Sequence, residues 1–131
     1  MEQLVKPFLM FEGRAEETIT FYVATVPHSR VIEINRYGAG GPAPEGTVMT
    51  ACASIGGQEV MFSDSFVNHD FTFTPSISLF FTARTEDEFN ALVAALADGG
   101  KFLMPPDNHG FSKRFAWLAD KFGVSWQINL P

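Results

Sequence analysis

The chain has 131 residues, 46% of them hydrophobic and 18% charged, and a formal net charge of −6. That length suits a single domain with its own core, and the composition excludes an intrinsically disordered chain. The acidic balance, without clusters of Lys or Arg, argues against nucleic acid or an anionic membrane as a partner. The single cysteine, Cys52, excludes an internal disulfide, and no apolar run approaches the roughly 18 residues of a spanning helix, so we predict a cytoplasmic protein.

The first half of the chain predicts four strands and one helix. Apolar or alternating runs predict strands over residues 5–11, 29–37, 47–55 and 58–64. Gly56 and Gly57 separate the last two strands, which predicts a type I′ hairpin turn with positive φ at both positions. Pro27 ends a helix that follows the first strand, and the apolar face of this helix comprises Ala15, Ile19, Tyr22, Val23 and Val26.

The second half repeats this order. Strands are predicted over residues 76–83, 101–104, 111–119 and 124–130, with Ile77, Leu79 and Phe81 on one side of the first. Thr85 and Glu88 predict a capping box at the start of a helix, and Gly99-Gly100 predicts the end of this helix. The strand at 101–104 is expected to stop at Pro105-Pro106, because proline has no backbone N–H. The apolar face of the helix that begins at the capping box comprises Phe89, Leu92, Val93 and Leu96.

The repeated order predicts an α+β fold made of two βαβββ modules. The two predicted helices begin about seventy residues apart, which indicates a duplicated unit. We predict a single domain over residues 1–131, with one module at about 1–64, a linker at 65–75 and a second module at about 76–131. The modules would form cupped mixed sheets with the helices outside, and a cleft between such sheets is a natural ligand site.

This pattern resembles the vicinal-oxygen-chelate superfamily, which includes glyoxalase I, bleomycin and fosfomycin resistance proteins and dihydroxybiphenyl dioxygenase. Within it, the chain looks like the PhnB-like branch. The likeness lies in residues 7–11, 15–17, 21–22, 37–38, 46–48, 57–58, 61, 63–64, 75–79, 115–117 and 120–127, which are spread over nearly the whole chain. The branch often carries the label 3-demethylubiquinone-9 3-methyltransferase. However, the sequence shows no glycine-rich turn between a strand and a helix that would hold S-adenosylmethionine.

The resemblance also implies where a divalent metal would sit. Superfamily enzymes hold it with His and Glu near the first, fourth, fifth and eighth strands. In this chain those positions fall on Pro7, near Phe62, on Ser76 or Ser78, and on Gln127. None of these is an imidazole or a carboxylate, so we predict no metal and no other cofactor, with an atypical metal site as the alternative.

Alternation along the final strand predicts a polar strip that faces a ligand. Val124, Trp126, Ile128 and Leu130 would share one face, and the other face would be polar. The predicted ligand-binding residues are Ser76, Ser78, Ser125, Gln127 and Asn129, with Asp64 and Trp117 as further candidates.

His109 is the only candidate acid or base, because its loop could fold over the mouth of the cleft. His28 and His69 are interpreted as ordinary loop histidines, and Cys52 as a small buried thiol without a partner base.

Three functions stay open. The first is a metal-free protein that binds a small aromatic or apolar molecule. The second is a metalloenzyme of the lyase, isomerase or dioxygenase class acting on a small oxygenated metabolite. The third is a structural partner with no ligand, which the predicted polar strip disfavours. The resemblance further implies a homodimer, and the loop from Phe66 to Phe73 is suited to cover its interface.

Overall fold

The structure is a computed structural model that describes residues 2–131. Within these residues it has eight strands and two helices. The first half comprises β1 (Phe8–Phe11), α1 (Ala15–Thr25), β2 (Arg30–Arg36), β3 (Val48–Ile55) and β4 (Gln58–Asp64). The second half comprises β5 (Leu79–Thr82), α2 (Glu86–Ala97), β6 (Lys101–Asp107), β7 (Arg114–Ala119) and β8 (Ser125–Leu130). The predicted α+β fold with two βαβββ modules is confirmed.

Each half forms its own four-stranded mixed sheet. The strand orders are β1-β4-β3-β2 and β5-β8-β7-β6. In both sheets the first and last strands of the half pair in parallel, and the remaining pairs are antiparallel. The chain divides into two compact units, one ending at Asp70 and the other running from Phe71 to Pro131. That division lies within the segment 65–75 that the sequence predicts as a linker.

In the first unit, α1 packs its apolar side on the sheet. Ile19 and Tyr22 are buried, as are Val60 and Phe62 on β4. The Phe62 ring stacks on Phe11 at a centroid distance of 6.2 Å and lies 6.4 Å from the Tyr22 ring. The hairpin between β3 and β4 has φ of 61° at Gly56 and 94° at Gly57, which confirms the predicted turn.

In the second unit, all four residues of the predicted helix face are buried. The side chain of Thr85 accepts a hydrogen bond from the Glu88 N–H, as a capping box requires. The return bond differs from the prediction, because Glu88 accepts from the backbone N–H of Arg84, one residue earlier than expected. No helix of the part of the chain described by the structure is long and apolar enough to span a membrane.

Asp120, in the turn between β7 and β8, fixes the geometry of this turn. It is buried, and its Oδ1 accepts hydrogen bonds from the backbone N–H groups of Phe122 and Val124. Its Oδ2 accepts from the indole N–H of Trp126 at 3.0 Å. A residue that the sequence indicates only as part of a turn therefore holds the start of β8.

The predicted first strands of both halves are too long. β1 begins at Phe8 rather than at residue 5, and Val5 is 86% exposed. β5 begins at Leu79 rather than at residue 76, so Ser76 and Ile77 precede the strand, and Ile77 is 71% exposed. Both predicted strands were too long because they were based on apolar residues alone. A strand also requires burial of its side chains and pairing with a neighbouring strand.

The prediction that Pro105-Pro106 ends the sixth strand is wrong. β6 runs from Lys101 to Asp107 and includes both prolines, with register shifts between Phe102 and Met104 and between Met104 and Asp107. Since β6 pairs only with β7, it lies at the edge of the sheet, where a strand tolerates residues without an N–H donor.

Candidate functional site

The second sheet has one face packed on α2 and one opposite face that carries polar side chains. On β8, Trp126, Ile128 and Leu130 are buried, whereas Gln127 and Asn129 alternate with them and remain half-buried. Pairing in register places Trp117 beside Gln127 and Ala119 beside Ser125. We call this surface, formed by Ser125, Gln127, Asn129, Phe115, Trp117 and Ala119, the polar face.

Three side chains on this face and that of Ser78, which lies just before β5, form one hydrogen-bonded cluster. The hydroxyls of Ser78 and Ser125 lie 2.7 Å apart. The indole N–H of Trp117 donates to Ser125 Oγ at 2.9 Å, and the amide Nε2 of Gln127 donates to Ser78 Oγ at 3.3 Å. We call these residues the serine cluster. Each of the four is a candidate ligand-binding residue in the sequence, and the structure brings them together.

The serine cluster has hydrogen-bonding capacity left over. Only one of the two hydroxyl protons is needed for the bond between Ser78 and Ser125, whichever residue donates. Among the described residues nothing pairs with the carbonyl oxygen of Gln127, and its side chain is half-buried rather than enclosed. The cluster can therefore offer one hydroxyl donor and one amide carbonyl to a molecule outside it.

The other predicted site residues lie apart from the serine cluster. Ser76 is exposed and bonds to Thr74 at 2.7 Å. Asn129 accepts a short hydrogen bond from the Ser112 hydroxyl. Asp64 belongs to the first unit, is buried, and accepts three backbone hydrogen bonds, from Gly13, Ala15 and Val48.

His109 lies in an aromatic corner beside β7. Its ring stacks on Phe111 and meets Phe115 edge-on, with centroid distances of 6.3 and 6.0 Å. Its Nε2 is 2.7 Å from the carbonyl oxygen of Pro105. Since a carbonyl only accepts, Nε2 is the donor in this hydrogen bond. No hydrogen bond between described residues joins His109 to the serine cluster.

The residues at the expected metal positions do not fit a divalent ion. Pro7 has no side-chain donor, and its carbonyl accepts from the Met61 N–H at 2.8 Å. Phe62 is fully buried against aromatic rings. Ser78 and Gln127 offer only neutral oxygens, which are weak ligands without a carboxylate. Nowhere in residues 2–131 do three His, Cys, Asp or Glu side chains group as a metal would need.

A second polar cluster, in the first unit, was not expected from the sequence. Lys6 pairs with Glu59 at 3.1 Å, and Cys52 Sγ lies 4.0 Å from the same carboxylate. The hydrogen bond that the Lys6 ammonium donates to Glu59 raises the pKa of Lys6. Burial raises the pKa of the Cys52 thiol, and the Lys6 ammonium partly opposes this. A protonated, buried thiol is a poor nucleophile, which agrees with the interpretation of Cys52 as a packing residue.

The second unit also contains a cavity that could not be predicted from the sequence. Its volume is about 200 Å³, and its wall includes Ser125 of the serine cluster together with Lys101. No single stretch of sequence indicates it, because the residues that enclose it come from the linker, β6, the end of β7, the following turn and the start of β8.

Comparison with known proteins places the chain in a family. The sequence profile of the family described as 3-demethylubiquinone-9 3-methyltransferase matches residues 3–129. The chain belongs to this family. This confirms the resemblance to the PhnB-like branch.

Relatives and solved structures agree with this family membership. The chain is 24% identical to protein YjdN of Escherichia coli, over 96% of this chain and 94% of that protein. It is similar to the structure of a Bacillus cereus PhnB protein that bears the same methyltransferase description. That likeness has 49% identity, covers 98% of this chain and 100% of the other, and has a TM-score of 0.95.

More distant structures show how widely the fold of this 3-demethylubiquinone-9 3-methyltransferase family is shared. A glyoxylase/bleomycin resistance protein/dioxygenase domain from Frankia matches with a TM-score of 0.69 at 14% identity, over 99% of this chain and 98% of that domain. The fosfomycin resistance protein FosX of Mesorhizobium loti matches with a TM-score of 0.62 at 13% identity, over 100% and 93% of the two chains. At such identities the likeness concerns the fold alone.

Proposed function

We propose that this chain is a metal-free protein that binds a small, partly aromatic molecule on the polar face of the second sheet. The observation that carries the proposal is the serine cluster, whose spare hydroxyl proton and amide carbonyl point to a polar partner outside the protein. A polar group kept away from water without such a partner costs free energy. The indole of Trp117, which pairs in register with Gln127, supplies an aromatic surface beside these polar groups.

The proposal that no metal takes part is supported by the donor set. Enzymes of this fold that use a metal need imidazole or carboxylate ligands, and the resemblance puts the corresponding positions of this chain on Pro7, near Phe62, on Ser76 or Ser78, and on Gln127. Elemental analysis of the purified protein, with thermal shift against Ni²⁺, Zn²⁺, Mn²⁺ and Fe²⁺, tests this directly. We expect no stoichiometric metal and no rise in Tm; either one would overturn the metal-free proposal.

The family description names methyl transfer, and the chain gives that chemistry little support. Both strand-to-helix turns are short, with Glu12-Gly13-Arg14 before α1 and Ala83-Arg84-Thr85 before α2. Neither is the glycine-rich turn that holds a nucleotide-like cofactor at a helix N-terminus. We therefore propose binding rather than methyl transfer, and titration with S-adenosylmethionine is expected to leave Tm unchanged.

The two tryptophans allow a sharp test of where the ligand binds. The indole N–H of Trp117 bonds to Ser125 in the serine cluster, whereas that of Trp126 bonds to buried Asp120. The two indole peaks in the ¹H–¹⁵N spectrum are assigned by comparison with the Trp117→Phe variant, which lacks one of them. The protein is then titrated with a panel of small phenols, aromatic amides and aromatic acids. A molecule bound on the polar face shifts the Trp117 indole peak and leaves the Trp126 peak in place.

A matched pair of variants supplies the control. Gln127→Met keeps the length of the side chain and removes the amide, so it is expected to weaken any ligand found in the screen by about tenfold, the loss of one good hydrogen bond. Gln58→Met changes a glutamine on a strand of the first unit and is expected to leave affinity unchanged. Binding that leaves the Trp117 peak unmoved, or that both variants weaken equally, would contradict the proposed site.

We also propose that the protein is a homodimer. Its support is the exposure of large apolar side chains, among them Phe66 and Phe71 in the loop before β5, which are 55% and 61% exposed. Exposed aromatic side chains of this kind favour association. Light scattering at micromolar concentration is expected to give twice the 14.5 kDa mass of one chain. A mass equal to one chain would refute the dimer.

A cytoplasmic location is likewise proposed, on the basis of Cys52. This sole cysteine is free and buried, which suits a reducing compartment. Cell fractionation is expected to recover the protein with cytoplasmic markers, and recovery outside the cytoplasm would contradict it.

A further inference from the structure

The cavity of the second unit combines an apolar wall with two polar groups. Its apolar lining comes from Phe73, Pro75, Leu103 and Ala119, and its polar lining from Lys101 and Ser125. The volume is about 200 Å³. A cavity of roughly 150 Å³ holds a benzene molecule, so this one has room for a single six-membered ring with a small substituent.

Strand register explains why the two polar groups share this cavity. Lys101 on β6 pairs with Ala119 on β7, and Ala119 pairs with Ser125 on β8. The three residues thus form one row across neighbouring strands that lie about 4.8 Å apart, with their side chains on the same face. A lysine side chain is long enough to cross the small Ala119 and bring its ammonium towards Ser125.

Lys101 is a cation that the protein leaves available. Within residues 2–131, Lys101 is not among the cations that pair with a carboxylate, such as Lys6, Arg36 and Arg84. Asp120, which follows Ala119 in the chain, already accepts three hydrogen bonds from its own turn and from Trp126. Lys101 is exposed and also lines the cavity, so in a chain of net charge −6 this lysine without an ion pair favours an anionic ligand there.

We propose that the ligand of this protein is a small ring compound that carries a carboxylate. Its ring lies against Phe73, Pro75 and Leu103, and its carboxylate accepts from the Lys101 ammonium and from the spare hydroxyl proton of the serine cluster. This inference rests on the proposed function, because it identifies the class of molecule that the polar face would take.

Benzoate and its neutral counterpart benzamide test the inference with the intact protein. Affinities are measured by calorimetry, and the site is confirmed through the Trp117 indole peak, since Ser125 both lines the cavity and accepts from that indole. We expect benzoate to bind at least about tenfold more tightly than benzamide, and its affinity to fall as salt is added.

Two lysine variants separate a local charge from the overall charge. Lys101→Gln is expected to reduce benzoate affinity about tenfold, to the level of benzamide, with benzamide itself unaffected. Lys113→Gln removes the same charge from an exposed position before β7 and is expected to leave both affinities unchanged. A third variant, Ala119→Leu, fills the cavity and is expected to abolish binding of both compounds, with circular dichroism to verify folding.

The outcomes distinguish the two proposals. Equal binding of benzoate and benzamide, with Lys101→Gln neutral, would overturn the carboxylate inference and leave binding on the polar face intact. Failure of benzoate to bind at millimolar concentration would also overturn it, and the wider panel of neutral compounds would then decide whether the polar face binds ligands.

Discussion

The carboxylate of Asp64, the last residue of β4, accepts a hydrogen bond from the backbone N–H of Ala15, the first residue of α1, over 2.9 Å. The same Oδ1 accepts from Gly13, and Oδ2 accepts from Val48 at the start of β3. A buried side chain at the end of one strand therefore satisfies a free N–H of the helix N-terminus, which no intrahelical bond can satisfy. It also joins three segments of the first unit.

Replacing Asp64 by asparagine is predicted to destabilise the protein. Each carboxylate oxygen of Asp64 now accepts from a backbone N–H group. In asparagine an NH₂ group replaces one of these oxygens, so a buried N–H donor would lose its acceptor. We expect the free energy of unfolding to fall by about 2–3 kcal/mol in urea titration. Asp70→Asn, at an exposed position in the following loop, is the control and should change it by less than about 0.5 kcal/mol. Equal stabilities of the two variants would contradict the role given to Asp64.

Gly100 is predicted to tolerate no side chain. A Cβ at this position would lie 2.1 Å from the carbonyl oxygen of Ala119 and 3.0 Å from the backbone of Asp120. Because backbone atoms cannot move aside as a flexible side chain can, Gly100→Ala is expected to cost at least about 2 kcal/mol of unfolding free energy. Gly38→Ala, where a Cβ would meet nothing within 4 Å, serves as the comparison and is expected to change Tm little. A Gly100→Ala protein as stable as wild type would show that β6 and β7 are not so closely apposed.

The N-cap of α2 gives a smaller predicted effect. Thr85 accepts from the Glu88 N–H, so Thr85→Ala leaves this donor without its capping partner. A loss of about 1 kcal/mol is expected, measurable as a lower urea midpoint at unchanged slope. Thr72→Ala alters an exposed loop threonine and should leave the midpoint in place. If both substitutions shift the midpoint alike, the cap does not contribute.

Cys52 predicts a dependence of stability on alkaline pH. Burial raises the pKa of its thiol above the ordinary 9.0. A folded-state pKa above the unfolded one gives a contribution to stability that is fully present below pH 9 and is lost as pH rises through the folded-state value. Wild type should therefore lose more unfolding free energy than Cys52→Ala between pH 7.5 and pH 10.5. Parallel losses in the two proteins would contradict the buried, protonated thiol.

Local sequence signals predicted the parts of the fold that depend on local chemistry. Gln58–Asp64 begins after a Gly-Gly turn, and alternation along it sets which residues are buried, so the strand was predicted with its true bounds. The same holds for the buried face of α2. The starts of β1 and β5 were predicted too early, because apolar residues such as Val5 and Ile77 precede these strands although their side chains are exposed.

The candidate site was predictable only in part. Alternation along the last strand indicated that Ser125 and Gln127 share a face, but it did not show that Ser78 and the indole of Trp117 complete the cluster. Those contacts depend on which strands pair and in which register, and no single segment contains that information. Lys101 was missed for the same reason, since its neighbours in the cavity are distant in sequence.

The two prolines of β6 also bear on how these molecules meet one another. Pro105 and Pro106 leave two residues of the edge strand β6 without an N–H donor, and the Pro105 carbonyl already accepts from His109. A strand from another molecule finds too few groups there to continue the ladder, so this rim resists the edge-to-edge growth that leads to fibrils. Any ordered assembly of the protein must then be built through side chains or through a different edge.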